Sequence, residues 1–390
     1  MALSPAPVAE REASLPVVTR RPVLDRTLRT VGYELVFHDR SAVMPAWPAD
    51  LIAGRHPAYV DVTPELLLDG RPLQLDPAGV VLELAAGGRV DDRLPERMRE
   101  LRAQGFRLIL SDAGGRPEPE PLLEYVDAVK LDAQRLGHHE TLVEFERIRR
   151  DGLDMLVEGV DSEDAFEVFR DAGFDLFQGL FYERPNLPDT TIMPVGHGAA
   201  LGALCQLQLR GGDFEALEQV IRRDVALSFR LLRHINSAYF GLPRKVGSIR
   251  DALILLGTRA VRQWAVALVL SGVEQRPDAL MSTALVRART CELILAPYDS
   301  EVAGRGFTAG MFSLLDAILG APMEQILNEL PLSEDVAVAI TSHEGVVGKA
   351  LGKAIAYERG EFDSPLLADH SRGVAVAYND AVRWADALSM

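Results

Sequence analysis

Short apolar runs recur through the first half of the chain, and each ends at or beside a polar residue. The runs are Thr30–Phe37, Ala58–Val62, Val80–Leu84, Arg107–Ser111, Ala128–Leu131, Met155–Glu158 and Asp175–Phe177. They are rich in Val, Ile and Leu and bounded by turn residues, which predicts strands. Helical patterns lie between several of them. Leu94–Gln104 is charged on one side and stops at Gly105, and Thr141–Arg150 places Leu142, Phe145 and Ile148 at near-helical spacing. Ser162–Ala172 starts at an Asp161/Ser162 cap, turns Ala165, Phe166, Val168 and Phe169 inward, and ends at Gly173. Near-continuous apolar strands alternating with amphipathic helices predict a parallel sheet covered by helices, here a β/α barrel over residues 17–190.

From Arg184 to Pro194 the pattern breaks, and a linker is assigned to 191–196. Beyond it the strand signal vanishes. Phe214, Leu217, Val220 and Ile221 form one helical stripe, and Val225–Ile235 is a second helix. Ile249–Leu256 is a third, stopped by Gly257, and Thr258 caps a fourth through Leu270. Helical patterns follow at Ser282–Ile294, Ala309–Leu319, Met323–Glu329 and Ser333–Ser342. The expected architecture is therefore α/β followed by all-α, with the helical domain at 197–390. Residues 1–16 hold Pro, Glu and Arg but no apolar signal core, and are expected to be a disordered leader. The longest apolar run, Trp264–Val273, falls short of the ~20 residues a bilayer requires and reads as a buried helix.

The polar residues that end the strands are Glu34, Asp61, Glu83, Ser111-Asp112, Lys130 with Asp132, Glu158 and Gln178. In a β/α barrel, side chains at the C-terminal ends of the strands converge on one mouth. Several carboxylates with one Lys and one amide suit divalent-metal and phosphate chemistry. Any one of these acids alone could simply cap a following loop or helix. The length of 390 residues fits two domains, and a net charge of −16 argues against a nucleic-acid polymer or an anionic membrane as partner. Cys205 and Cys291 sit in apolar surroundings and read as buried reduced thiols, which points to a cytoplasmic protein. His38, His138-His139 and His197 read as surface or loop residues.

Taken together, the first-half motifs resemble the EAL domain, the cyclic di-GMP phosphodiesterase family. The residues that carry the likeness are Pro22-Val-Leu-Asp-Arg with Val31-Gly-Tyr-Glu34-Leu-Val, then Val129-Lys130-Leu131-Asp132, Leu156-Val157-Glu158-Gly159-Val160-Asp161, and Gly173-Phe174-Asp175-Leu176-Phe177-Gln178-Gly179. The resemblance implies a modified β/α (TIM-like) barrel and hydrolysis assisted by two Mg²⁺ or Mn²⁺ ions. It implies metal ligation by Glu34, Glu83 and Asp112, with Asp61 standing where the family has Asn. Lys130 and Asp132 would lie near the catalytic water, Glu158 would support the metal site, and Gln178 would line it. Against the family pattern, Ser111 replaces a bridging Asp, and Ala85-Ala86 replaces a Thr-Glu pair whose acid anchors a loop. His38 replaces the Arg that grips ligand phosphate, and Arg21 replaces the Gln before Pro22. These losses predict a degenerate site with little or no hydrolysis, needing no cofactor and using Mg²⁺ or Mn²⁺ only if it is active.

The second half resembles the HDOD domain through Asp224, Asn236-Ser237-Ala238-Tyr239 and the Ala252-to-Gly257 stretch. That resemblance implies a helical relative of metal phosphohydrolases that has lost its His-Asp pair, and Ser313-Leu314 stands where the pair would be. Asn236 is expected to bond backbone at a helix end. The expectation is a signalling protein that works through protein contacts, compatible with a homodimer. The alternatives are an active Mg/Mn-dependent phosphodiesterase and a cyclic di-GMP sensor that binds without cutting.

Overall fold

The structure is a computed structural model, and it describes residues 17–38, 53–69, 75–85, 91–111, 120–184, 214–223, 225–236, 246–270, 277–330, 332–368 and 371–388. The expected leader and linker, with Ala86, Asp112, His197, Cys205, Asp224 and Ser237, lie outside the described residues. By contact the chain divides into two units. One groups the residues up to Asn186 with Ala356–Asn379, and the other groups Leu187–Ile355 with Asp380–Met390. Residues 356–379, which the sequence pattern places in the helical domain, thus go with the barrel.

Eight strands close the barrel in sequence order: β1 Val18–Asp25, β2 Thr30–Phe37, β3 Ala58–Val62, β4 Val80–Ala85, β5 Arg107–Ser111, β6 Ala128–Asp132, β7 Asp154–Glu158 and β8 Leu176–Phe177. The sheet is not wholly parallel as expected. β1 runs antiparallel to both β2 and β8, and the remaining pairs are parallel. β1 contains Pro22, which has no N–H for a ladder. Pairing with β8 reaches only Leu24 and Asp25, so the second ladder spares Pro22.

A layer of apolar side chains crosses the barrel interior: Val23, Tyr59, Val81, Ile109, Ala128, Leu156 and Leu176, one from each of seven strands. Strand side chains alternate between faces with period two. Two residues beyond Tyr59, Val81, Ile109, Ala128, Leu156 and Leu176 stand Asp61, Glu83, Ser111, Lys130, Glu158 and Gln178. The same alternation that builds the apolar floor therefore builds a polar layer above it, toward the strands' C-terminal ends.

The helices match the sequence pattern on this unit, except that Val168, expected to face inward, is exposed while Ala165, Phe166 and Phe169 are buried. Glu163–Ala172 is capped by Ser162, whose hydroxyl accepts from the Ala165 N–H, and it ends at left-handed Gly173. In the helical unit, Ile249–Leu270 bends at Gly257, whose φ of +82° is non-helical. It is the one described helix long and apolar enough to cross a membrane by length and composition. Its Val261 and Trp264–Leu270 are buried in the protein interior. The expected helix Ala309–Leu319 is instead two, Ser300–Phe312 and Leu315–Leu319. Ser313 Oγ donates to the Gly310 carbonyl at 2.8 Å, competing with helical pairing at the break. Helices Gly345–Glu358 and Ser371–Leu388 were not anticipated by the pattern.

The turn after β8 is set by close packing. Gly179 has φ +149°, and a Cβ there would lie 2.0 Å from the Val160 carbonyl oxygen. Val160 in turn donates to the Gln178 carbonyl and accepts from Phe181 N–H. Gly179→Ala is expected to destabilise the barrel by ~3 kcal/mol or more. Urea unfolding checks this; an unchanged midpoint contradicts it.

Candidate functional site

The polar layer at the barrel mouth is organised by Lys130. Its Nζ lies 2.8 Å from Glu34 Oε1, 2.8 Å from Glu83 Oε1 and 2.8 Å from Glu158 Oε2. Lys130, Glu34 and Glu83 are buried, while Glu158 is about a third exposed along its side chain. An ammonium has three N–H donors, and these three carboxylates take all of them. Gln178 Nε2 donates to the other Glu34 oxygen at 3.3 Å, and the buried Gln178 Oε1 has no hydrogen-bond partner.

Three carboxylates, Glu34, Glu83 and Glu158, share the one ammonium of Lys130, so the buried cluster holds more carboxylate than ammonium. The titrations follow from burial and from how that ammonium is shared. Burial pushes the Glu83 carboxyl up to about 8; Lys130 opposes the rise, and Glu34 and Asp61 add to it. Burial also raises Glu158 against the pull of Lys130. Burial would raise Glu34 too, but there the charge and hydrogen bond of Lys130, with Arg21 and Gln178, prevail and hold it below the ordinary range. Burial disfavours the Lys130 ammonium, yet Glu34, Glu83 and Glu158 together hold its pKa well above the ordinary lysine value.

Glu34, Asp61 and Glu83 each offer one oxygen, and these three oxygens lie within 4.8 Å of one another. That separation suits a single hard cation with bonds of ~2.4 Å. Surplus carboxylate and an orphaned amide oxygen on the same layer make the donor set a fit for one divalent ion. Asp61 and Glu83 face each other across the β3–β4 ladder. Ser111 ends β5 opposite Ala85, half-buried, and contributes a hydroxyl to a layer in which Asp61, Glu83, Lys130 and Glu158 carry ionisable groups.

Not every expected site residue faces the mouth chemistry. Asp132 pairs with Glu158 across β6–β7, but its Oδ1 accepts from the N–H groups of Gln134 and Arg135 and caps the helix Ala133–Leu136. His38 lies edge-on against Phe362 at 5.1 Å and is exposed. Arg21, which the sequence presents only as a substitution before Pro22, stands directly opposite Glu34 in the β1–β2 ladder. No sequence signal marks that placement, because β1 itself lacks the apolar alternation.

In the helical unit the motif residues are tied into local structure. Asn236 Nδ2 donates to the carbonyls of Leu232 and Val246, and its Oδ1 accepts from Val246 N–H at 2.7 Å. Ser313 Oγ also accepts from Arg287 at 3.0 Å, and Asp316 Oδ1 accepts from the Ala317 N–H. Among the described residues, the grouping of acids suited to a metal is the barrel triad.

An EAL domain model matches residues 66–185, and an HDOD domain model matches residues 203–326. Cyclic di-GMP phosphodiesterase CdgJ of Vibrio cholerae is 30% identical over 370 residues, covering 88% of this chain and 85% of CdgJ. The uncharacterized protein YuxH of Bacillus subtilis is 26% identical over 355 residues, covering 84% of this chain and 87% of YuxH. Among solved structures, a Klebsiella pneumoniae BlrP1 calcium/cy-diGMP complex aligns at a TM-score of 0.36 and 17% identity. That alignment covers 46% of this chain and 57% of the BlrP1 chain, under two thirds of its length.

The raised Glu83 has a stability consequence. An unfolded Glu releases its proton near 4.5, whereas the native one keeps it to about 8. Between those values the native state binds more protons, so stability falls as pH rises, by at most ~1.4 kcal/mol per pH unit for this group. Glu83→Gln is expected to flatten the slope across that window in urea unfolding at a series of pH values. A slope as steep as that of the unmutated chain contradicts the assignment.

Proposed function

The chain belongs to the family of proteins that join an EAL domain to an HDOD domain, and from that premise we propose that it is a cyclic di-GMP signalling protein whose barrel binds the dinucleotide beside one divalent cation and cuts it slowly. The observation that carries this reading is the mouth layer itself. Glu34, Asp61 and Glu83 supply oxygens spaced for one cation. Ser111 supplies a neutral hydroxyl at the end of β5, and a hydroxyl cannot neutralise a second, shared cation as a carboxylate does. CdgJ, alike over most of both chains, is named for the phosphodiesterase reaction, which supports cyclic di-GMP as the ligand.

Glu34, Asp61 and Glu83 would hold the cation, with Mg²⁺, Mn²⁺ or Ca²⁺ suited to their oxygens. A divalent ion held there would supply Lewis-acid assistance to phosphodiester hydrolysis. The chain's own residues supply the rest. Lys130 holds Glu34, Glu83 and Glu158 in register through its three contacts. Gln178 holds the other oxygen of Glu34 through its Nε2, and its buried amide oxygen is left without a hydrogen-bond partner. A weakened second-cation site costs ~4 kcal/mol of transition-state stabilisation, roughly a thousandfold in rate.

The helical unit is proposed to relay the barrel's state through contacts with a protein partner. Asn236 and Ser313 are engaged in local hydrogen bonds, as in a binding module rather than a hydrolytic one.

Calorimetric titration of the full chain with cyclic di-GMP, in Ca²⁺ and in Mn²⁺, with chromatography for the linear dinucleotide, tests this. The expected result is cation-dependent binding with turnover far below the ~10 s⁻¹ typical of enzymes. Ser111→Asp is expected to raise turnover at least tenfold with a smaller effect on affinity. Fast turnover by the unmutated chain would overturn the one-cation reading, and absence of binding would overturn the ligand.

A further inference from the structure

An anionic ligand entering this mouth meets an excess of carboxylates, and Lys130 has no donor left for it, since its three N–H groups are taken by Glu34, Glu83 and Glu158. One divalent ion serves one phosphodiester of a cyclic dinucleotide, and the second phosphodiester needs a cation elsewhere. Residues directly opposite in an antiparallel ladder project to the same face, their Cβ atoms ~5 Å apart. Arg21 is opposite Glu34, and Glu34 points to Lys130 in the mouth. Arg21 therefore stands on the mouth side, and it is exposed where Lys130 is buried.

Its position is fixed by chain far away in sequence. Arg21 Nη2 donates to the Arg359 carbonyl at 2.8 Å. Thr19 Oγ1 donates to the Glu358 carbonyl at 3.1 Å. The Tyr357 hydroxyl accepts from Val18 N–H at 3.1 Å and donates to the Val18 carbonyl at 2.9 Å. The segment comes close at Gly360, where φ is +71° and an added Cβ would lie 3.3 Å from Arg21 Nη2. All of these partners belong to the stretch 356–379 that packs with the barrel and lies outside both domain-model matches.

We propose that Arg21 is the cation that grips a phosphate of the bound dinucleotide, and that the C-terminal strap 356–379 is the device that holds it over the mouth. This rests on the reading that the barrel binds cyclic di-GMP. A guanidinium has five N–H donors in a planar fork that matches phosphate oxygens, so anchoring one nitrogen leaves a recognition edge. Tyr357 is a positioning residue, acting on the ligand only through β1 and Arg21.

The test is calorimetric titration of cyclic di-GMP into the full chain at fixed saturating Ca²⁺, with thermal melts as a check on folding. Arg21→Gln is expected to raise Kd roughly ten- to a hundredfold, the loss of one charge-assisted contact. Arg21→Lys keeps the charge but not the fork and is expected to fall between the two. Tyr357→Phe is expected to weaken binding severalfold when Arg21 is present and to add nothing in the Arg21→Gln background. Unmutated affinity in a folded Arg21→Gln chain overturns the proposal; if that variant does not fold, unmutated affinity in Arg21→Lys does. Additive losses from Tyr357→Phe and Arg21→Gln overturn the strap's role. Failure of the unmutated chain to bind sinks the ligand assignment as well, and is distinguishable because no variant is needed to see it.

Discussion

One buried ammonium in contact with three carboxylates governs the barrel's mouth. Charges taken out of water are tolerated only when paired and hydrogen-bonded. Lys130 meets that condition for Glu34, Glu83 and Glu158 at once, drawing β2, β4, β6 and β7 together at one level. Removing one partner of such a cluster typically costs ~3–5 kcal/mol, because the others stay buried and uncompensated. The same contacts take up the three N–H donors of Lys130.

The barrel was legible because its signal is periodic. Strand runs separated by capped helices predict a sheet with helices outside, and the acids at strand ends predict their own convergence. What escaped was β1, where Arg20, Arg21 and Pro22 interrupt the alternation that marks a strand. Its role appears only once β2 and β8 pair with it. Helix Gly345–Glu358 escaped for a similar reason, since Gly345, Gly348 and Gly352 lower helix propensity. Gly348 is there for space, a Cβ falling 2.3 Å from the His343 carbonyl carbon. Contacts between Tyr357 and Val18 span nearly the whole chain, and no local pattern encodes them.

The candidate site was legible in its residue types and less so in their roles. Asp61, Glu83, Lys130, Glu158 and Gln178 do share one layer because they occupy equivalent inward positions, two residues past the apolar floor, and Glu34 joins them through its contacts with Lys130 and Gln178. Asp132 shares the strand end but uses its Oδ1 to cap a helix. Spacing along a strand identifies which face a side chain occupies, whereas its partners depend on which neighbours supply N–H groups. The substitution Ser111 could be read at once, but its weight depends on the surrounding charge excess, which is a property of the assembled mouth.

The cation site proposed at this mouth has a limited capacity. Three oxygens within 4.8 Å can share one ion, and a hydroxyl at Ser111 gives a second ion no shared carboxylate. Counting manganese at the mouth by anomalous scattering from crystals soaked in Mn²⁺ with cyclic di-GMP tests this most directly. The account predicts a single ion held by Glu34, Asp61 and Glu83. Two fully occupied ions ~4 Å apart would contradict it.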